Sequence, residues 1–89
     1  MSTIVLTAVV TAYVATGHPC ANGKMPAVGH TVAIPRGLPL GTRVLINGHW
    51  YVGEDRTAKK YDGRIDIFVA SKREAVLWGK QTLTVTISK

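Results

Sequence analysis

"RVLINGHWYVGEDRTAKKYDGRIDIF", residues 43 to 68, decides how this chain folds. Asn47-Gly48 stands between two apolar runs, "RVLI" and "HWYV". Asn and Gly tolerate the positive φ angles of a two-residue turn, so the segment predicts a β-hairpin. Further on, "GRIDIFVA" alternates as a strand does. Arg64, Asp66 and Phe68 fall on one face, and Ile65, Ile67 and Val69 on the other. Glu54, Asp55, Asp62 and Asp66 lie in this region. They are four of the five acidic residues in a chain with eleven basic ones. Such a cluster fits an acidic catalytic centre, a metal site or a solvated turn.

The flanking sequence is read the same way. Residues 3 to 15 are dense in Ile, Val, Thr and Tyr, which suit a pleated surface. They lack a positive leader and are too short and too polar for a spanning helix. The expectation is therefore a strand, with no signal peptide and no membrane span. "GHPCANGKMPAVGH", residues 17 to 30, is a turn-rich loop with Asn22-Gly23 as a tight pair. "TVAIP" is a strand stopped by Pro35, and "RGLPLGT" is the loop before "RVLI". "SKREAVLWGK" predicts one short helix near residues 71–79. Ser71 and Glu74 match a capping box, and Gly79 suits the C-terminal end. Ala75, Val76, Leu77 and Trp78 supply its apolar face, and "QTLTVTI" is a last strand. Six short strands and one short helix predict a mostly β domain over residues 1–89. Closing the sheet into a small barrel would remove its exposed edges.

A net charge of +6 makes an anionic partner plausible: nucleic acid, an acidic wall polymer or an anionic membrane. The basic residues are dispersed, and few aromatic residues alternate with them, which disfavours nucleic acid. One cysteine, Cys20, excludes an internal disulfide. Its expected place is a small buried thiol, although His18 lies two residues away and would share its face on an extended chain. His18, His30 and His49 lack zinc-motif spacing, and lysines beside the aspartates oppose a hard cation, so no metal and no cofactor is expected. Trp50 and Trp78 are assigned to the core rather than to a sugar platform.

The order of "VTAYVATG", "CANG", "TVAIPRGLPLGT", "EDRTAKKYDGRIDIF" and "EAVLWGKQTLTVTI" resembles the 3D domain, a double-psi β-barrel named for three aspartates. That domain occurs in membrane-bound lytic transglycosylase A and in cell-wall enzymes of the stationary-phase-survival type. The likeness runs from about residue 10 to 87. It implies a six-stranded double-psi barrel that cleaves peptidoglycan. Asp55 takes the place of the aspartate in the family's Glu-Asp pair, and Asp66 that in Arg-Ile-Asp. The third aspartate, expected just before the proline of the third motif, has no counterpart in Val32-Ala33-Ile34-Pro35. Arg56-Thr57-Ala58 replaces the family's Thr-Gly-Gly, and Asp62 has no equivalent and is assigned to a turn.

The implied reaction is a lytic transglycosylation. The muramyl 6-hydroxyl attacks its own anomeric carbon, so one carboxyl can serve first as acid and then as base. The resemblance makes Asp66 that group, its pKa raised by burial beside its apolar strand neighbours and by the negative charge of Asp55, which also orients it. Arg64, on the same face as Asp66, would lower it unless it turns to Asp55 or Asp62. Tyr13, with Thr11, lines the glycan groove or is a half-buried strand face. Asn22 and Lys24 touch sugar or peptide stem, or are surface loop. Arg64 is counted with Tyr13, Asn22 and Lys24 as a substrate-binding candidate. The expected partners are peptidoglycan glycan strands and, in a phage setting, virion proteins. The expected location is a phage virion or the bacterial cell wall and periplasm. The rival expectations are a non-enzymatic glycan-binding or structural barrel, such as a phage virion component, and a nucleic-acid-binding barrel supported only by charge.

Overall fold

The structure is a computed structural model that describes residues 2–89. Six strands close into a barrel: β1 (Thr3–Tyr13), β2 (Thr31–Ile34), β3 (Arg43–Ile46), β4 (His49–Arg56), β5 (Ile65–Phe68) and β6 (Gln81–Ser88). Their order around the barrel is β1-β5-β2-β4-β3-β6. A 3-10 turn, Lys59–Tyr61, precedes β5, and a short helix α1, Lys72–Trp78, precedes β6. The mostly β fold, the strand segments and the helix near residues 71–79 are as the sequence predicts. No helix among the described residues is long and apolar enough to cross a membrane.

Strand direction gives the topology. β1 and β5 are parallel, β5 and β2 antiparallel, and β2 and β4 parallel. So β1 and β2 run antiparallel with β5 between them, and β4 and β5 run antiparallel with β2 between them. Each trio is a psi arrangement, and the two interlock through β2 and β5. That is the double-psi barrel. The β3–β4 hairpin turns at Asn47 and Gly48, whose φ angles of 50° and 78° are the positive values that such a turn needs.

Alternation fills the interior. Ala8 and Val10, Val32 and Ile34, Val44 and Ile46, Ile65 and Ile67, and Val85 and Ile87 form the buried core. Each pair is two residues apart on its strand, as the period of two requires. β4 adds Gly53 instead of an aliphatic side chain. A Cβ at Gly53 would sit 2.5 Å from Ile34 Cδ1 and 3.0 Å from its Cγ atoms, so Ile34 occupies the space that any β4 side chain would need.

Helix α1 has the expected capping box. Glu74 N donates to Ser71 Oγ at 3.2 Å, and Ser71 N donates to Glu74 Oε2 at 3.1 Å. Trp78 Nε1 donates to Val10 O at 3.1 Å and pins the helix to β1. Two assignments need correction. Val76 and Leu77 are 70% and 74% exposed, because a helix this short turns only Ala75 and Trp78 toward the barrel. Trp50 is 38% exposed, not core, because it pairs with Leu45 on the outer face of the hairpin, where Arg43 stacks 4.7 Å from its ring centroid.

Gly53→Ala is expected to lower stability by about 1–3 kcal/mol through overpacking against Ile34. The shift in urea midpoint at unchanged slope measures it. An unchanged midpoint would show that Ile34 does not need that space.

Candidate active site

The site rests on a register shift. Val32 pairs with Gly53 but Ala33 pairs with Asp55, so Glu54 is a surplus residue in β4. Without this bulge, Asp55 would follow Gly53 to the core face. With it, Asp55 takes the face of Ala33, opposite Val32 and Ile34. Ala33 also pairs with Asp66, and Asp66 with Thr11. One outer row therefore reads Thr11, Asp66, Ala33, Asp55 across β1, β5, β2 and β4. Two strand spacings of about 4.8 Å separate the aspartate backbones. The small Ala33 leaves a hollow between them.

That hollow is a cavity of about 270 Å³ whose walls include Tyr13, Ala33, Asp55 and Asp66. Thr16, His18 and Pro26 close it from the long β1–β2 loop, and Ala58 from the segment after β4. The sequence reading did not place His18 there. A loop folded over a sheet leaves no periodic signal for it. The reading did place Thr11 near the groove, from its likeness to the family's Thr-Ala-Tyr.

The loop is held by the other carboxylate of the bulge. Glu54 is 6% exposed. Thr31 Oγ1 donates to Glu54 Oε1 at 2.7 Å, and Asn22 Nδ2 to Oε2 at 2.9 Å. The His30 imidazole lies 3.4 Å from Oε1. Burial alone would raise this carboxyl. The bonds from Thr31 and Asn22, with His30 and Lys24 nearby, outweigh it and hold the group below its ordinary range. Asp55 adds a second tie, accepting from Ala21 N at 3.0 Å and Arg56 N at 2.9 Å.

Asp66 is in the opposite state. Burial raises its carboxyl above the ordinary value, and the positive charge of Arg64 opposes this. Of the two causes expected from sequence, desolvation is thus the one at work, and the charge of Asp55 is not. Thr11 Oγ1 donates to Asp66 Oδ1. Tyr13 packs edge to face on Phe68 at 5.4 Å. Its hydroxyl is buried and finds no hydrogen-bond partner among the described residues. Burial, then the negative charges around it, push its pKa well up, so it stays a neutral hydroxyl. Cys20 is buried with its thiol pushed up by burial first and Asp55 next, which leaves it an inert thiol.

Of the residues named from sequence, the cavity gathers Asp66, Asp55 and Tyr13. It does not gather Asn22, Lys24 or Arg64. The Asn22 amide spends its nitrogen on Glu54 and its oxygen on Lys24 N at 3.0 Å, so it fastens the loop. Arg64 stacks 4.7 Å from the Tyr61 ring centroid. Asp62 caps the 3-10 turn, accepts from Arg36 N at 3.1 Å and lies 3.6 Å from the Arg36 guanidinium, as a turn residue would. No cluster of three or more metal-ligating side chains occurs among the described residues. Comparison of the chain with protein-family models, curated proteins and solved structures finds no match.

A raised Asp66 makes a testable demand on stability. The folded state binds this proton more tightly than the unfolded state does. Stability therefore falls as pH rises from the unfolded value, about 3.9, through the folded one. Asp66→Asn carries no such penalty. It is expected to melt above wild type at pH 7, with the difference shrinking as pH falls through the raised folded value and gone below about 4. A mutant that melts lower than wild type at pH 7 would contradict the raised value.

Proposed function

We propose that this cavity cleaves peptidoglycan as a lytic transglycosylase, with Asp66 as acid and base and Asp55 as its charged partner. The observation that carries the proposal is one cavity shared by two aspartates, one of which, Asp66, is pushed by burial toward its protonated form. The order of motifs that resembles the 3D domain supports it.

The chemistry suits one carboxyl with a raised pKa. Protonated Asp66 gives its proton to the glycosidic oxygen between N-acetylmuramic acid and N-acetylglucosamine as the anomeric C–O bond breaks. Asp66, now a carboxylate, takes the proton of the muramyl 6-hydroxyl as that oxygen bonds to the anomeric carbon. The leaving sugar ends with a hydroxyl, the muramyl residue ends as a 1,6-anhydro ring, and Asp66 is protonated again. Thr11 occupies Oδ1, so Oδ2 is the oxygen left to exchange the proton. Asp55 faces the positive charge that develops on the ring. The Tyr13 side chain forms part of the cavity wall that the glycan would meet. Such a substrate puts the protein to work outside the cytoplasm, in the bacterial wall or on a phage particle.

A second reading, a glycan-binding barrel without turnover, is favoured by one observation. Asp55 Oδ1 is already shared by two backbone amides. One assay separates the two. Purified murein is incubated with wild type and Asp66→Asn, and soluble products are analysed by mass spectrometry. Cleavage is expected to yield 1,6-anhydro muropeptides and to drop by about 10²–10⁴-fold in the mutant. The wild-type rate should fall as pH rises through the raised Asp66 value, since the acid form is consumed. Retention of murein with no product would overturn the enzyme and leave the binding barrel.

A further inference from the structure

The first half of β1 is a free edge. β1 pairs with β6 over Thr3–Val10 but with β5 only over Val10–Tyr13. The other side of residues 3–9 therefore faces no strand among the described residues. Ile4, Val5 and Leu6 on this edge are 45%, 66% and 39% exposed. Protein edges usually resist pairing through charge, proline, a bulge or short length. This segment has none of these. "STIVLTAVVTAY", residues 2 to 13, holds no charged residue and no proline, and its register with β6 is unbroken.

We propose that this edge pairs antiparallel with the same edge of a second copy of the chain. The sequence is self-complementary about Val5. A two-fold axis there sets Val5 against Val5, Ile4 against Leu6, and Thr3 against Thr7. Apolar meets apolar at the centre and hydroxyl meets hydroxyl at the ends, with no charge in the seam of a +6 protein.

The outer face gives the same answer independently. Val5 pairs with Thr86, Thr86 with Leu45, and Leu45 with Trp50. This row crosses β1, β6, β3 and β4 and ends at the open side of Val5, the residue on the axis. Pairing two copies there joins their rows into one continuous stripe. The seam also lies at the opposite end of β1 from Tyr13, so the cavity stays open in both copies. It closes isologously, as two-fold dimers do. The seam is small against the roughly 1,000 Å² of a stable interface, so the dimer is weak.

Sedimentation velocity over about 10–500 µM spans dissociation constants in the micromolar range. Wild type is expected to move from 9.6 kDa toward twice that mass as concentration rises. Val5→Lys is expected to stay monomeric, weakening association at least tenfold. Val76→Lys adds the same charge on the exposed helix and is expected to behave like wild type. In the same samples, amides of residues 3–7 should exchange more slowly at high concentration in wild type and Val76→Lys, but not in Val5→Lys. A monomeric wild type across the range overturns the proposal. So does a Val5→Lys protein that dimerises as well as wild type, a Val76→Lys protein that does not dimerise, an open polymer, or amide exchange that ignores concentration.

Discussion

Glu54 is the surplus residue of β4, and its carboxylate is buried against Thr31 and Asn22. Burying a carboxylate is costly unless hydrogen bonds replace its water. Bonds to an ionised group contribute about 1.5–3 kcal/mol each, so the two direct donors offset much of that cost. The arrangement fixes three things together. It pins the β1–β2 loop through Asn22, it places the bulge, and the bulge turns Asp55 outward. Glu54 holds its proton less tightly in the folded state. Its contribution to stability is therefore present above the unfolded value of about 4.3 and is lost as pH falls through the lower, folded value.

Around the bulge the barrel has two outer rows with different character. Thr11, Asp66, Ala33 and Asp55 form the first, covered by the loop and shaped into a cavity. Val5, Thr86, Leu45 and Trp50 form the second, whose end residues Val5 and Trp50 are exposed. The cavity on the first row is lined by groups that packing alone would avoid: the Asp66 carboxyl, raised by burial, and Tyr13, whose buried hydroxyl has no partner among the described residues. Groups kept in such states tend to gather where chemistry is done. The core beneath is ordinary by contrast, built from paired aliphatics on every strand but β4.

The barrel was largely legible because its signals are local. Asn47-Gly48 announced the hairpin, Ser71 and Glu74 announced the helix start, and Ile65 and Ile67 announced the buried face of β5. The site was legible in part. Asp55 and Asp66 were named from their place in a motif, yet their meeting depends on the bulge, which leaves no mark in the alternation of β4. Asn22 looked like a sugar contact because nothing in sequence ties it to Glu54. Arg64 looked like a groove residue because its stacking on Tyr61 depends on how the 3-10 turn folds. Trp50 shows the limit of composition, since a large aromatic residue can sit on an outer face when its hairpin partner is Leu45.

Folding gives two carboxyls opposite protonation tendencies: Glu54 is held as an anion that fastens the loop and the bulge, and Asp66 is held toward its acid form in the cavity. Carbon-13 NMR titration of the side-chain carboxyls tests this directly, residue by residue. The expected result is an Asp66 midpoint above the ordinary value of about 3.9 and a Glu54 midpoint below about 4.3. An Asp66 midpoint at or below the ordinary value would contradict it, because the cavity would then hold a plain carboxylate.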